Sequence, residues 1–192
     1  MKFPERCTHW AGQPDPVATY QVGIYRAAMP FVRNRRVAID CGAHVGIFTK
    51  RMEADFSEVY AFEPMPDNFR CLAANTNKAR LFNCLLWDHP TKLSMKLEDH
   101  PNSGAPEIVP GVPGNYPAMS LDSFGIGNVD LVKLDVQGAE DWVLLGAKNT
   151  LSTNPVIIIE MKGDVADVVR TLTEYGYQRA VQIRYDEVWV KE

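Results

Sequence analysis

The stretch from residue 36 to residue 63 constrains this chain most, because it predicts a strand, a glycine turn, a helix and a second strand. Apolar residues run up to Asp40, and Gly42 and Gly46 bracket the turn that follows. Glu63 stands at the end of the second strand, 21 residues after Gly42. In a βαβ nucleotide-binding unit, an acid at about that distance binds the hydroxyls of a ribose. The stretch therefore predicts a doubly wound α/β fold.

The glycines and the acid at the turn after the first predicted strand indicate which kind of ligand it binds. Only two of the three glycines of a G-x-G-x-x-G fingerprint are present, which disfavours an NAD or nucleotide-sugar enzyme. Asp40 precedes the first glycine by two residues, where it would repel a pyrophosphate and attract an ammonium group. S-adenosylmethionine carries such an ammonium on its methionine end, and it has a ribose for Glu63. We therefore predict that the cofactor is S-adenosylmethionine.

The composition is that of one globular domain spanning residues 1–192. Hydrophobic residues make up 46% of the chain and charged residues 23%, as in ordinary folded domains. The net charge is −4 and the densest basic stretch is Arg33-Asn34-Arg35-Arg36, so tight binding to nucleic acid or to anionic membranes is disfavoured. No apolar run approaches the roughly 20 residues of a membrane span. The motifs leave the oligomeric state open.

The four cysteines predict a reducing environment. No CxxC pair is present, and three of the four lie in apolar stretches, where a free cysteine packs as a small hydrophobic side chain. No apolar signal core follows the first residues. We therefore expect a cytoplasmic protein.

Periodicity predicts that strands and helices alternate along most of the chain. The predicted strands are 36–40, 58–62, 81–87, 129–135 and 155–160, with a terminal hairpin of 177–184 and 187–191. The predicted helices are 17–29, 45–52, 67–77, 138–151 and 164–175. The N-terminal region 1–30 thus combines an irregular lead-in with one helix.

An acid closes each of the first five predicted strands. These acids are Asp40, Glu63, Asp88, Asp135 and Glu160. In a parallel sheet the carboxyl ends of the strands share one edge, where ligands bind. The five acids would then converge on one site, unless they only cap the helices that follow.

Residues 88–118 form an insert of different composition. They contain six prolines and three glycines, which disfavour regular structure beyond a short strand at 91–97. We expect residues 98–118 to form a mobile loop that covers the acceptor site. His100 lies in this loop and could deprotonate an acceptor hydroxyl at neutral pH, although a solvated loop histidine is an equal alternative.

The motifs around the fourth predicted strand bring in a family resemblance. The strand continues as Asp130-Leu131-Val132-Lys133-Leu134-Asp135-Val136-Gln137-Gly138-Ala139-Glu140, with Leu121-Asp122 before it and Leu145-Gly146-Ala147 after it. Together with the residues from Asp40 to Gly46 and with Phe62-Glu63-Pro64, this order of motifs resembles the FkbM family of S-adenosylmethionine-dependent methyltransferases. The resemblance covers about residues 17–175.

The resemblance implies a fold and an activity. The implied fold is a class I methyltransferase (Rossmann-like) three-layer sandwich. Its mostly parallel seven-stranded sheet has an antiparallel last strand, which the terminal hairpin fits. The family typically O-methylates hydroxyls of sugars and other small molecules, so the implied partner is a small-molecule or glycan hydroxyl acceptor.

The resemblance also implies which residues hold the cofactor. Asp40, Gly42 and Gly46 would cradle the methionine end, and Glu63 would hold the ribose hydroxyls. His44 lies in the same turn, where the family often has asparagine. It is a further candidate for cofactor contact, although a loop histidine bonded to a neighbouring carbonyl is the alternative.

Residues after two other predicted strands complete the cofactor site that the resemblance implies. Leu86 and Trp87 would flank the adenine, and Asp135 would face the methyl-transfer centre. Gln137 departs from the family, which often has glutamate there, and an amide is neither a base nor a strong ligand for Mg²⁺. Tyr20 could fold over the cofactor or pack in the core of its own helix.

Four residues are candidates for the acceptor side: Asp135, Glu160, Lys133 and His100. Asp135 or Glu160 could accept the proton of the acceptor hydroxyl. Lys133 shares a strand face with Asp135, so the two could position the acceptor or simply form an ion pair. Asp135 and Glu160 could also hold a Mg²⁺ ion that lowers the pKa of the hydroxyl.

Two other functions stay open at this point. A nucleic-acid methyltransferase is disfavoured by the net negative charge and by Asp-Val-Gln-Gly in place of an Asp-Pro-Pro-Tyr motif. A non-catalytic protein that binds S-adenosylmethionine would share the cofactor motifs but would transfer no methyl group.

Overall fold

Strands and helices alternate along the chain in the computed structural model, which describes residues 1–5, 15–96 and 107–191. The strands are β1 (Val37–Cys41), β2 (Glu58–Phe62), β3 (Arg80–Phe82), β4 (Leu85–Leu86), β5 (Thr91–Lys96), β6 (Glu107–Pro113), β7 (Tyr116–Met119), β8 (Val129–Leu134), β9 (Val156–Glu160), β10 (Gln178–Ile183) and β11 (Asp186–Val190). The helices are α1 (Pro16–Thr19), α2 (Val22–Ala28), α3 (Ile47–Asp55), α4 (Pro66–Asn75), α5 (Glu140–Leu145), α6 (Lys148–Leu151) and α7 (Ala166–Glu174).

Seven strands form the main sheet, in the order β10-β11-β9-β8-β1-β2-β3. The strands from β9 to β3 pair in parallel, whereas β11 is antiparallel to both β9 and β10. The last strand is therefore inserted between β9 and β10. This order confirms the predicted Rossmann-like sheet with its antiparallel C-terminal hairpin.

Helices cover both faces of the main sheet, because neighbouring residues of one strand enter different cores. In β1, Ala38 packs in the core with Phe48 of α3, whereas Ile39 packs in the core with Val143 of α5. The same alternation continues through β8 and β9, whose residues are nearly all buried. A three-layer sandwich therefore accounts for the continuous apolar sequence of the central strands.

The strand predicted at 81–87 is divided between two sheets. Its first part, β3, closes the main sheet, while β4 pairs with β7 in a second sheet of order β4-β7-β5-β6. Asn83 lies at the break, where its side-chain amide donates to the backbone oxygens of Glu63 and Pro64. A polar anchor inside an apolar run thus ends one strand and starts another.

The prediction of a loop at 98–118 is wrong for residues 107–113 and 116–118. These residues form β6 and β7, which pair with β5 and give the second sheet most of its hydrogen bonds. Proline is compatible with β6 because β6 is an edge strand and needs no ladder on its outer side. Pro110 and Pro113 of β6 are therefore compatible with strand structure at this sheet edge.

Two predicted helices are interrupted. The helix predicted at 17–29 is divided into α1 and α2, and Gln21 between them has a φ of 46°. The helix predicted at 138–151 is divided into α5 and α6 around Gly146, where an added Cβ would lie 2.2 Å from the backbone oxygen of Trp87. In the described parts of the chain, no helix has the length and apolar character needed to cross a membrane.

The contact between Gly42 and β8 predicts a large effect on stability. Gly42 has a φ of 80°, and a Cβ added there would lie 1.9 Å from the backbone oxygen of Asp135. Gly42→Ala should lower the free energy of unfolding by at least about 2 kcal/mol, since left-handed strain and a backbone clash add. Urea denaturation measures this difference.

Gly127→Ala is the matched control, because a Cβ at Gly127 meets nothing within 4 Å. Its free energy of unfolding should stay within about 1 kcal/mol of the wild-type value. Equal stability of the Gly42 and Gly127 variants would contradict the close approach of β1 and β8.

Candidate active site

A cavity opens at the carboxyl ends of β1, β2 and β8, where the main sheet meets the second sheet. Residues that line it from the main sheet include Gly42, His44, Glu63, Lys133, Asp135 and Gln137, and those from the second sheet are Leu85, Leu86, Met95 and Ile108. Ligands of doubly wound sheets bind at this edge. The cavity is therefore the candidate active site, and its walls come from both sheets.

The carboxylate of Glu63 is held in the cavity wall by three N–H donors. Oε2 accepts from the backbone N of His44 at 2.9 Å, and Oε1 accepts from the backbone N of Met65 at 2.9 Å and from Nδ2 of Asn68 at 3.3 Å. Burial raises the pKa of Glu63 to about 7, although the hydrogen bonds oppose the shift. The ionised carboxylate is thus oriented to accept hydroxyl donors from the cavity.

The turn after β1 brings two predicted residues to the cavity and turns a third away. Gly42 and His44 line the cavity, and the backbone of His44, at a φ of 51°, directs its N–H to Glu63. Gly46 precedes α3 and faces α4 instead, where an added Cβ would lie 2.8 Å from Cδ1 of Leu72. Gly46 therefore permits close helix packing, and its predicted role at the methionine end stays a prediction.

Asp40 lies behind the cavity wall. Its side chain is fully buried, Oδ2 accepts from Oγ1 of Thr49 at 2.6 Å, and Oδ1 lies 3.8 Å from Nζ of Lys133. Burial raises the pKa of Asp40, while Lys133 and Thr49 oppose that shift. The ammonium of Lys133 thus stands between this carboxylate and the cavity, and the predicted role of Asp40 toward the methionine end stays a prediction.

Lys133, Asp135, Gln137 and Glu160 form a continuous polar row beside the cavity. Nζ of Lys133 lies 3.2 Å from Oδ2 of Asp135. Nε2 of Gln137 donates to Oδ1 of Asp135 at 2.7 Å and to Oε2 of Glu160 at 3.3 Å. The structure thus brings three of the four predicted acceptor-side residues together, and Gln137 joins two of them.

The two carboxylates of this row differ in proton affinity. Burial alone would raise the pKa of Asp135, but Lys133 and the amide of Gln137 outweigh it and hold that pKa below its usual range. Burial and the charge of Asp135 raise the pKa of Glu160. Asp135 therefore stays ionised at neutral pH, and Glu160 has the proton affinity better suited to a base.

The arrangement of these side chains does not favour the predicted Mg²⁺ site. Lys133 partners Asp135, Lys162 lies 2.7 Å from Glu160, and Gln137 directs N–H groups at both carboxylates. Over residues 1–5, 15–96 and 107–191, no group of three or more histidine, cysteine or acidic side chains is placed to hold a metal ion. The charge of each carboxylate is balanced by a lysine instead.

Tyr20 lines the cavity from the N-terminal segment. Arg51 of α3 fixes its backbone, since the guanidinium donates to the backbone oxygens of Val17 and Tyr20. The same guanidinium lies 5.2 Å from the ring centroid of Tyr25 and 4.9 Å from that of Phe48. Burial is the largest of the effects that raise the pKa of Tyr20 to about 12, so its hydroxyl stays protonated.

Asp186 is a site residue that sequence reasoning missed. β11 places it opposite Glu160, and Nε2 of Gln21 lies 3.2 and 3.3 Å from its two carboxylate oxygens. Burial, followed by the charge of Glu160, raises the pKa of Asp186 to about 6. No local pattern identifies this residue, because only the insertion of the last strand beside β9 brings it to the site.

Glu140 explains part of the motif after β8. Its carboxylate accepts from the backbone N of Val136 and of Gly138, each at 3.0 Å. These bonds hold the loop in which Gln137 has a φ of 56°. Glu140 therefore positions Gln137 and has a structural role.

The remaining predicted site residues, in and after the third predicted strand, differ in whether they line the cavity. Leu86 lines the cavity, but Trp87 is 4% exposed and stacks on Trp142 with 4.6 Å between ring centroids. Trp87 therefore packs beneath the second sheet, and its predicted contact with adenine stays a prediction. Asp88 follows β4 in that second sheet, so it does not join the acids at the main-sheet edge. His100 lies outside the described residues.

Comparison with known proteins gives a family match over most of the chain. The family profile described as the Methyltransferase FkbM domain matches residues 40–179. No curated protein matches the sequence.

Solved structures of methyltransferases share the fold at low identity. A methyltransferase FkbM from Methylobacillus flagellatus KT has a TM-score of 0.55 and 20% identity over 80% of this chain, which spans only 42% of that protein. A precorrin-6y C5,15-methyltransferase from Geobacter metallireducens has a TM-score of 0.57 and 12% identity, covering 90% of this chain and 91% of its own. A putative RNA methyltransferase from Pyrococcus horikoshii has a TM-score of 0.56 and 13% identity, covering 100% and 90%.

The position of Gln137 predicts a pH-dependent effect on stability. Glutamate there would face two carboxylates at the 2.7 and 3.3 Å distances of the present amide bonds, so its folded pKa would exceed its unfolded value. The Gln137→Glu variant should then have nearly the wild-type free energy of unfolding near pH 4. By pH 8 it should be less stable by about 1–3 kcal/mol, because the native state resists ionisation of the introduced carboxyl group.

Denaturation at a series of pH values measures this trend. Gln178→Glu is the control, since Gln178 is exposed on β10. Gln137→Met removes the amide bonds without adding a charge, so its stability deficit should change with pH much less than that of Gln137→Glu. A Gln137→Glu deficit that is the same at pH 4 and pH 8 would contradict the bridging geometry.

Proposed function

Because this chain belongs to the FkbM methyltransferase family, we propose that it binds S-adenosylmethionine in the cavity and methylates a hydroxyl of a small molecule or sugar. The observation that carries the proposal is the placement of two acids on one cavity, Glu63 at the end of β2 and Asp135 at the end of β8. The FkbM match, residues 40–179, includes both strand ends.

The chemistry of the lining fits S-adenosylmethionine. Glu63 offers an acceptor for ribose hydroxyls, and apolar side chains such as Phe62, Leu85 and Leu86 stand near it for a base ring. Lys133 and Asp135 offer charges of both signs for a zwitterionic amino-acid end. The site thus has an apolar part and a charged part, with Glu63 close to the first and Asp135 in the second.

Asp135 is the acceptor-side residue in this proposal. S-adenosylmethionine supplies an electrophilic methyl group, so the protein has mainly to align the acceptor. The ionised carboxylate of Asp135 faces the cavity and can accept a hydrogen bond from the acceptor hydroxyl. Lys133 and Gln137 hold this carboxylate from two sides, while Glu160 and, by prediction, His100 are the further candidates for taking the proton.

The acidic surroundings favour a neutral acceptor over an anionic one. Asp135, Glu160 and Asp186 lie near one another at one end of the cavity, and each raises the pKa of Tyr20. A nucleic acid would bring its phosphates to this region, which makes RNA methylation the weaker alternative. We also propose a cytoplasmic location, since Cys41, Cys71 and Cys84 are free thiols.

Because Glu63 lies in the cavity wall, we expect the affinity of the protein for S-adenosylhomocysteine, the product form of the cofactor, to depend on pH. Hydroxyl donors bind the ionised carboxylate, so protonation of Glu63, with its pKa of about 7, competes with binding. The Kd should rise about tenfold between pH 8 and pH 6. Glu63→Gln should bind more weakly at pH 8 and should lose this dependence on pH.

Calorimetric titration measures these affinities. Glu58→Gln, on the exposed end of the same strand, should keep the wild-type profile. Binding of NADH in place of S-adenosylhomocysteine would overturn the proposed cofactor.

Removing the charge of Asp135 should cause a loss of methyl transfer. Asp135→Asn keeps the shape of the side chain but removes its charge, so transfer should fall at least about 100-fold while the protein stays folded. Radiolabelled S-adenosylmethionine with a panel of sugars and hydroxylated small molecules measures the rate. Asp167→Asn, at an exposed ion pair of α7, should retain full transfer.

The same assay separates the alternatives. Transfer to RNA but to none of the hydroxyl acceptors would favour a nucleic-acid methyltransferase. Binding of S-adenosylmethionine with no transfer to any acceptor would favour the non-catalytic protein. Full activity of Asp135→Asn on a working acceptor would remove Asp135 from the mechanism.

A further inference from the structure

Lys133 is a buried cation in the wall of the cavity. The residue is 6% exposed, and Nζ lies 3.2 Å from Oδ2 of Asp135, 3.5 Å from the backbone oxygen of Gly42 and 3.8 Å from Oδ1 of Asp40. The ammonium also lies 5.0 Å from the ring centroid of Phe48. One lysine ammonium therefore stands between two acids in this wall of the cavity.

This position places a cation between the Asp40 carboxylate and a ligand in the cavity. By itself the buried carboxylate of Asp40 would attract an ammonium group. With the ammonium of Lys133 in front of it, a second ammonium would meet a like charge, whereas a carboxylate would meet an opposite one. Lys133 lines the cavity and Asp40 does not, so the lysine makes the contact.

The ammonium has a donor to spare for such a ligand. A lysine ammonium carries three N–H groups. In the described parts of the chain, the acceptors within hydrogen-bond distance of Nζ are Asp135 and the backbone oxygen of Gly42. Oδ1 of Asp40, at 3.8 Å, contributes charge without a hydrogen bond. A carboxylate entering from the cavity can take the third N–H.

We propose that Lys133 binds the α-carboxylate of the methionine end of S-adenosylmethionine, an inference that rests on the proposed cofactor site. Asp40 and Phe48 act as positioning residues, because they hold the ammonium from behind while Asp135 holds it from the side. Lys133 therefore serves the cofactor and leaves the acceptor hydroxyl to Asp135.

The test compares two ligands that differ only in the α-carboxylate: S-adenosylhomocysteine and its decarboxylated analogue. Calorimetry gives the ratio of their Kd values for each protein. Wild type should prefer S-adenosylhomocysteine by at least about tenfold, the usual size of a charge-assisted contact in a buried site. Lys133→Met should bring the ratio close to one, chiefly by weakening the carboxylate-bearing ligand.

Lys133→Met leaves Asp40 buried without its cation, and this variant could fail to fold. The double variant Lys133→Met with Asp40→Asn removes both charges, and the amide introduced by the second substitution retains an oxygen to accept from Thr49. Its ratio should also fall close to one. Lys162→Met is the matched control, because it removes a nearby cation that is 55% exposed in its side chain, and its ratio should stay at the wild-type value.

Each outcome distinguishes the inference from the proposed function. A wild-type ratio that persists in the double variant would overturn the role of Lys133 while leaving the cofactor site intact. A Kd ratio near one for the wild-type protein would also overturn the role of Lys133 while leaving the cofactor site intact. Failure of wild type to bind either ligand would overturn the cofactor site itself, and the role of Lys133 with it.

Discussion

Lys133 of β8 reaches across to the buried carboxylate of Asp40 on β1, and the geometry of the cavity depends on this contact. The side chains of Lys133 and Asp40 are 7% and 0% exposed, so the Asp40 carboxylate needs this cation, while Asp135 also partners the lysine. Their approach requires β1 and β8 to lie close, and Gly42 permits it by having no Cβ beside the Asp135 backbone. Strand pairing and charge balance therefore support one another at the edge that carries the candidate active site.

The charged end of the cavity is completed by segments from outside the matched family domain. The FkbM match spans residues 40–179, whereas Tyr20 and Gln21 precede it and Asp186 follows it. Gln21 and Asp186 contact each other across the site, and Arg51 holds the backbone of Tyr20. The family domain thus provides the candidate cofactor edge, while the two flanking segments shape the surroundings of Asp135.

The rule that strand ends meet at one edge predicted Glu63, Asp135 and Glu160 well, because it depends only on parallel pairing. It was wrong for Asp88, whose strand leaves the main sheet after Asn83, and a short polar anchor gives little periodic signal. It placed Asp40 at the right strand end. The side chain of that residue nevertheless points away from the cavity, because Thr49 and Lys133 compete successfully for its carboxylate.

The sequence by itself determined the α/β class, the order of the main strands and the candidate edge, since hydrophobic period, glycine turns and strand-end acids are local features. Only the tertiary structure decided that residues 107–119 pair as strands, that Trp87 packs on Trp142, and that Asp186 joins Glu160. It also decided that the ammonium of Lys133 stands between Asp40 and the cavity. These outcomes depend on contacts between residues that are distant in the chain. The stability of each contact depends on which residue the fold brings opposite, and the local sequence pattern does not contain that information.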